Sequence, residues 1–186
     1  MKRIGVKERV IETASSLFYH QGYNQTGINQ IIEEASVAKA SMYQHFRSKQ
    51  DIAVAYLSAR HTMWMGKLSR FISGKKTNKA KLIASFDYLI EWLEEDDFRG
   101  CGFQNIFVDL PEESHKIKAQ VLYHKNELGD MVHDLLKNEN QYSSKEAKQI
   151  GDEILVLMEG AIILSQMQKS IWPITAGKSA CKKLLN

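Results

Sequence analysis

Proline is nearly absent from this chain: 186 residues contain two, Pro111 and Pro173. Eleven glycines add little more punctuation. So few breakers argue against a disordered chain and against an all-β chain, which needs frequent turns. Cysteine is scarce as well. Cys101 and Cys181 are too few for a disulfide framework or a zinc site, so free thiols are expected. Long hydrophobic runs are missing. The longest, Ile154 to Leu164, is interrupted by Glu159 and Gly160 and falls short of a bilayer span. No apolar stretch follows Met1-Lys2-Arg3, so no secretory leader is expected and the protein reads as cytoplasmic, without a membrane partner.

What is present is ample for a core: 44% of residues are hydrophobic and 25% charged. The net charge of +3 is unevenly placed. Residues 1–50 hold seven cations and four acids, whereas the rest holds eighteen of each. An excess confined to one end points to a polyanion contact there.

The hydrophobic period is helical nearly throughout. Val6, Val10, Ile11, Ala14, Leu17 and Phe18 share one face, and Gly22 stops the run. Thr26 is placed to cap a short second helix whose Ile28, Ile31, Ile32 and Ala35 recur at helical spacing. A break at Ser36-Val37 leads to a third short helix, about 38–46. Ser48 can cap a long fourth, to about Ile72, and the basic stretch KKTNKAK reads as a loop. Leu82, Ile83, Phe86, Leu89, Ile90 and Leu93 form the next stripe. A short apolar helix follows the Arg99-Gly100-Cys101-Gly102 turn, and another helix runs from about Glu112 to Asn138. Ser143 to Glu146 is a capping-box signature, and a last helix begins near Pro173. The expected fold is all-α with about nine helices. Two domains are expected, 1–50 and 51–186.

The stretch VAKASMYQHFRSKQDI (37–52) asks for explanation. A core helix carries large apolar residues, but this one carries Ala38, Ala40 and Ser41. Two short helices joined by a tight turn, the second poor in bulk, read as a helix-turn-helix. The major groove admits one helix, and small residues let its backbone approach. Lys39 and Gln44 can address bases. Thr26, Ser41, Tyr43, His45 and Lys49 can address phosphates. Val37, Met42 and Phe46 can face inward.

The residues from about Arg9 to Ile52 resemble the N-terminal domain of TetR-family transcriptional regulators. The resemblance rests on LFYHQGY, Thr26, and INQIIEEASVAKASMYQHFRSKQDI, with Tyr43, His45-Phe46 and Lys49 in register. Ser36 stands where the family has a turn glycine, and Gly27 where a second threonine is common. The resemblance implies phosphate contacts by Tyr43, Lys49 and Thr26, and base contacts by Lys39, Ala40 and Gln44. RGCGFQNIFVDLPEESHKIKAQVLYHKNEL resembles one C-terminal subgroup of that family, through Cys101-Gly102, Asn105, Asp109, Pro111, His115 and His124-Lys125. The family implies a homodimer through the last two helices, a palindromic double-stranded DNA operator, and a small-molecule effector. It implies repression released by that effector. Phe86, Phe103, Asn105, Phe107, Tyr123 and Met158 are the candidate effector-pocket residues.

Other readings are weaker. No nucleophile–base constellation can be specified, so no catalytic residue and no cofactor are expected. His115, His124 and His133 are nine apart, so successive imidazoles alternate faces and no metal site is expected. Cys101 reads as a small buried hydrophobe before a redox sensor. Glu159 reads as a hydrogen-bonded structural carboxylate. The competing functional class is a helical small-molecule binding protein whose DNA-binding domain is inactive.

Overall fold

Helices supply every regular element among the residues that the computed structural model describes, 4–138 and 141–186. Lys2 and Arg3, counted in the charge excess, lie outside them. The nine helices are α1 (Val6–His20), α2 (Ile28–Glu34), α3 (Lys39–His45), α4 (Lys49–Ser73), α5 (Asn78–Glu95), α6 (Gly102–Phe107), α7 (His115–Lys137), α8 (Ser144–Gln168) and α9 (Trp172–Leu184). No described helix is long and apolar enough to cross a membrane.

The chain divides into two compact units. One comprises Met1–Met63 with Gly102–His124, the other Trp64–Cys101 with Lys125–Asn186. The first unit therefore holds more than residues 1–50. It also takes in the start of α4, all of α6 and the start of α7.

In the first unit Val10, Ala14 and Phe18 line the buried face of α1, at the spacing the sequence shows. Ile31 of α2 and Met42 of α3 are wholly buried, and α1 packs against both helices. Gly22 closes α1 with φ +100°, a conformation that glycine adopts without steric cost. Its N–H and that of Gln21 both donate to the Leu17 carbonyl. The second helix starts differently from expectation. Gly27, not Thr26, is its N-cap residue, and no side chain caps it. The Thr26 hydroxyl donates backwards to the Gly22 carbonyl at 2.7 Å, which ties the α1–α2 turn instead.

The end of α2 explains the Ser36 position. The Ser36 N–H donates to Glu33 O and the Val37 N–H to Ile32 O, the paired bonds of a Schellman ending. Such an ending needs a left-handed residue, and Ser36 takes it at φ +51°. Arg9 Nη1 donates to the carbonyls of Ala35 (3.2 Å) and Ser36 (2.9 Å), closing the helix end from α1.

In the second unit α9 packs against both α8 and α5. Leu82, Phe86, Leu89 and Leu93 of α5, Ile154, Met158 and Ile162 of α8, and Ile174 and Cys181 of α9 are all buried. Gly177 matters here. A Cβ at that position would sit 3.1 Å from the Phe86 ring and 3.6 Å from Ala161 Cβ. Two caps are formed by local sequence. Ser143 and Glu146 complete the reciprocal capping box, and Thr77, inside the stretch read as a loop, accepts from the Ala80 N–H. The seventh helix starts at His115, three residues later than the sequence suggests, because the Ser114 N–H turns back to the Pro111 carbonyl.

Glu159 is not alone in its apolar run. Both its oxygens accept from Lys125 Nζ at 2.7 Å, and Lys125 also reaches Cys101 Sγ at 3.6 Å. Burial works against the Lys125 ammonium. The neighbouring sulfur and carboxylate outweigh it, so its pKa lies above the ordinary lysine value. For Cys181 burial raises the thiol pKa to about 11.

Two stability changes follow. Ser36→Gly relieves a left-handed non-glycine residue and is expected to stabilise by about 1 kcal/mol, raising Tm by roughly 2–4 °C. A lower Tm in a thermal melt would show that the serine side chain contributes more than its backbone costs. Glu159→Ala strands a largely buried ammonium and is expected to cost roughly 2 kcal/mol. Glu159→Leu combined with Lys125→Met should recover most of that loss, because an apolar pair of similar volume needs no desolvation. Equal melting losses in the single and double variants would contradict this.

Candidate nucleic-acid interface

Burial of Met42 and Phe46 fixes how α3 presents itself. With those side chains inward, Lys39, Ala40, Tyr43, Gln44 and His45 are all exposed, and Ser41 is half-buried. Tyr43 keeps 41% of its surface accessible, which a core tyrosine would not. Seven of the eight residues read from the sequence as DNA-contacting thus have accessible surface. The eighth, Thr26, is 0% exposed, with its hydroxyl committed to Gly22. Any part it plays at a phosphate runs through the turn it holds.

Lys49 opens α4, immediately after Ser48, whose hydroxyl accepts from the Asp51 N–H. Its ammonium lies 4.2 Å above the Tyr23 ring centre, and Tyr23 in turn meets Phe18 at 5.4 Å. The aromatic face gives the cation a fixed seat beside the α1–α2 turn. Burial lowers the Lys49 pKa from its ordinary value, and the Asp109 carboxylate pulls the other way.

Sequence reasoning missed the partners of this surface. Asp109 and Lys116 are distant in the chain but meet it in the folded unit. Asn24 Nδ2 donates to Asp109 O at 2.6 Å, its N–H reaches Asp109 Oδ2 at 3.4 Å, and Lys116 Nζ pairs with Asp51 Oδ1 at 2.9 Å. The Lys116 contact holds the Asp51 carboxyl below its usual pKa. Nothing local in the sequence marks these pairs. Asp109 and His115 do fall in the stretch that resembles the C-terminal subgroup.

The effector-pocket candidates fall into two groups. Phe103, Asn105, Phe107 and Tyr123 belong to the first unit. Phe86 and Met158 belong to the second, and both are fully buried. Phe103 stacks face to face on His124, with centroids 3.7 Å apart and planes 6° from parallel. His124 Nδ1 lies 3.1 Å from His61 Nδ1, and Tyr123 sits 4.9 Å from the His61 ring. No motif or spacing in the sequence marks His61. Asn105 is half-buried, while Phe107 and Tyr123 are exposed. His133 belongs elsewhere, 3.0 Å from Asp152 Oδ1. Among the described residues no three His, Cys, Asp or Glu side chains converge as metal ligands.

Residues 10–56 match bacterial regulatory proteins of the tetR family, and residues 79–179 match the C-terminal domain of LmrA/YxaF-like transcriptional regulators. The chain is 24% identical over 182 residues to the HTH-type transcriptional regulator LmrA of Bacillus subtilis, covering 96% of each. It is 25% identical over 142 residues to the transcriptional activator FasR of Mycolicibacterium smegmatis, covering 76% of this chain but 64% of that one. Against a Lactococcus lactis regulator the match spans 54% of the relative's length. The fold is that of a TetR-family regulator from Streptomyces coelicolor, with TM-score 0.86, 23% identity, and coverage of 97% of this chain and 88% of that one. It is also that of Escherichia coli NemR in its reduced form, with TM-score 0.82, 20% identity and 97% coverage of each. The chain belongs to the tetR family of bacterial regulatory proteins.

Proposed function

We propose that the protein works in the cytoplasm as a homodimeric repressor that leaves a palindromic operator when a small molecule binds. The observation that carries the DNA half is the exposed face of α3, with Met42 and Phe46 buried behind Lys39, Ala40, Tyr43 and Gln44. Lys39 would reach guanine O6 and N7, Ala40 a thymine methyl, and Gln44 an adjacent base edge. Tyr43, Ser41, His45 and Lys49 would hold phosphates, and Thr26 would order the turn beside them. In this reading residues 1–50 bind DNA, and 51–186 bind effector and partner. The protein has no catalytic role.

The dimer half is supported by α8. Val156, Gly160, Ile163, Leu164 and Met167 are all exposed and recur at helical spacing, so one apolar stripe is left uncovered by the described residues. Val156 is 72% and Met167 74% exposed. Gly160 has open space where a Cβ would stand. Trp172 at the start of α9 is exposed too, and an apolar cavity of about 590 Å³ lies between Val156 and Leu157 of α8 and Ala180 and Leu184 of α9. A dimer built on α8 and α9 would cover this face, and two-fold symmetry would match a palindrome.

Effector release would be a population shift. The effector must bind the state with wrongly spaced recognition helices more tightly, by about ten-thousand-fold for a near-complete switch. Phe103, Asn105, Phe107 and Tyr123, with Phe86 and Met158, are the candidate contacts. Repression is preferred because relatives include the negative regulator IcaR of Staphylococcus aureus, although FasR is an activator.

Two measurements test this. Fluorescence anisotropy with DNA flanking the gene should show binding that weakens steeply with salt. Tyr43→Ala should lose roughly 1 kcal/mol per subunit, about thirtyfold for a dimer. Equal affinity in both proteins would remove Tyr43 from the interface. Salt-insensitive association would favour a helical binding protein with an inactive DNA-binding domain. Val156→Glu should give a folded monomer by light scattering, and an unchanged dimer would move the seam away from α8.

A further inference from the structure

The DNA surface carries an acid at its edge that its proposed role does not call for. Asp109 lies in the turn between α6 and α7 and is exposed. It binds the α1–α2 turn twice, through Asn24 Nδ2 to its backbone oxygen at 2.6 Å and through the Asn24 N–H to its carboxylate at 3.4 Å. Asn24 is next in sequence to Tyr23, whose ring seats the Lys49 ammonium at 4.2 Å, so the turn that Asp109 grips is the one beside that cation. A second tie, Lys116 to Asp51 at 2.9 Å, joins the first turn of α7 to the first turn of α4 two residues beyond Lys49. The segment Gly102–His124 is thus fastened to the proposed phosphate-binding edge at two places, 85 and 65 residues away in sequence. At both of its ends it continues directly into the second unit, at Cys101 and Lys125.

A phosphate arriving at Lys49 enters the field of the Asp109 carboxylate, which already favours the charge on that ammonium. The carboxylate is present in the free protein and repels an arriving phosphate. The backbone tie to Asn24 does the opposite, since it holds the turn in place without adding charge. The two effects come from different atoms of one residue and can be separated by substitution.

We propose that Asp109 is a positioning residue and built-in counter-charge for the DNA surface, competing with DNA phosphate for Lys49 while its backbone oxygen holds the α1–α2 turn through Asn24. This rests on the DNA-binding reading above and deepens it. The resting affinity is held below what α3 and Lys49 alone would give. Any displacement of the Gly102–His124 segment then changes both the charge beside Lys49 and the restraint on the turn.

The test uses the full-length protein and a labelled duplex of mixed sequence, because a lysine–phosphate contact does not depend on sequence. Asp109→Asn removes the charge and keeps the backbone oxygen. It is expected to bind about two- to fivefold more tightly at low salt, the size of one exposed charge pair. The gain should fade as salt screens the pair. Removing any acid near DNA helps binding, so the deciding comparison is a cycle with Lys49→Gln. In that background the gain from Asp109→Asn should vanish. Asn24→Ala should weaken binding without a matching loss of Tm, which marks a positioning role. A gain that persists without Lys49 overturns the competition, and unchanged binding in Asp109→Asn overturns the counter-charge. If the wild-type protein binds no duplex at all, the DNA-binding reading fails and this proposal fails with it. Wild-type binding with unresponsive variants fails this proposal alone.

Discussion

Met42 and Phe46 hold α3 by its apolar side, with Met42 wholly buried and Phe46 4% exposed. That anchoring decides which residues are left to face outward. A helix of seven residues has too few backbone hydrogen bonds to stand alone, so tertiary packing must supply its stability. Everything proposed for the surface depends on it. Small residues can line the outer face because large ones already secure the inner face. Tyr43 is not needed in the core, which leaves it exposed for the proposed phosphate contact. The Schellman ending of α2, closed by Arg9, sets the angle at which α3 leaves the turn.

Charge is arranged with the same economy. The first fifty residues carry the whole net excess. Among their cations Lys49 is seated on the Tyr23 ring beside the turn that Asp109 grips. In the second unit, Lys125 and Glu159 neutralise each other against Cys101, so the apolar stretch of α8 carries no unpaired charge. The exposed apolar residues of α8 from Val156 to Met167 form the stripe proposed for a second copy.

The local features were legible in the sequence, and the reasons are local. Helical periods in 82–93 and 154–164, the stop at Gly22, the Ser143–Glu146 box and the anomalous composition of α3 all act within a few residues. The left-handed turn at Ser36 could be anticipated because the family resemblance places glycine there. The failures share a different cause. Thr26 looks like a cap in one dimension, but its hydroxyl turns back to Gly22. Spacing relates His124 to His115 and His133, while its folded neighbours are His61 and Phe103. Asp109 and Lys116 reach the DNA edge across 85 and 65 residues, a separation at which no periodicity carries information. The effector-pocket candidates stand on composition alone. The structure shows Phe86 and Met158 buried and Phe107 and Tyr123 exposed.

The most direct measurement of the central claim is selection of genomic fragments by the purified protein, followed by hydroxyl-radical footprinting of what it retains. The expected result is two protected patches related by a dyad, on one face of the duplex and about one helical turn or more apart, with both lost in Tyr43→Ala. Retention no better than random DNA, or protection unaffected by that substitution, would contradict the account.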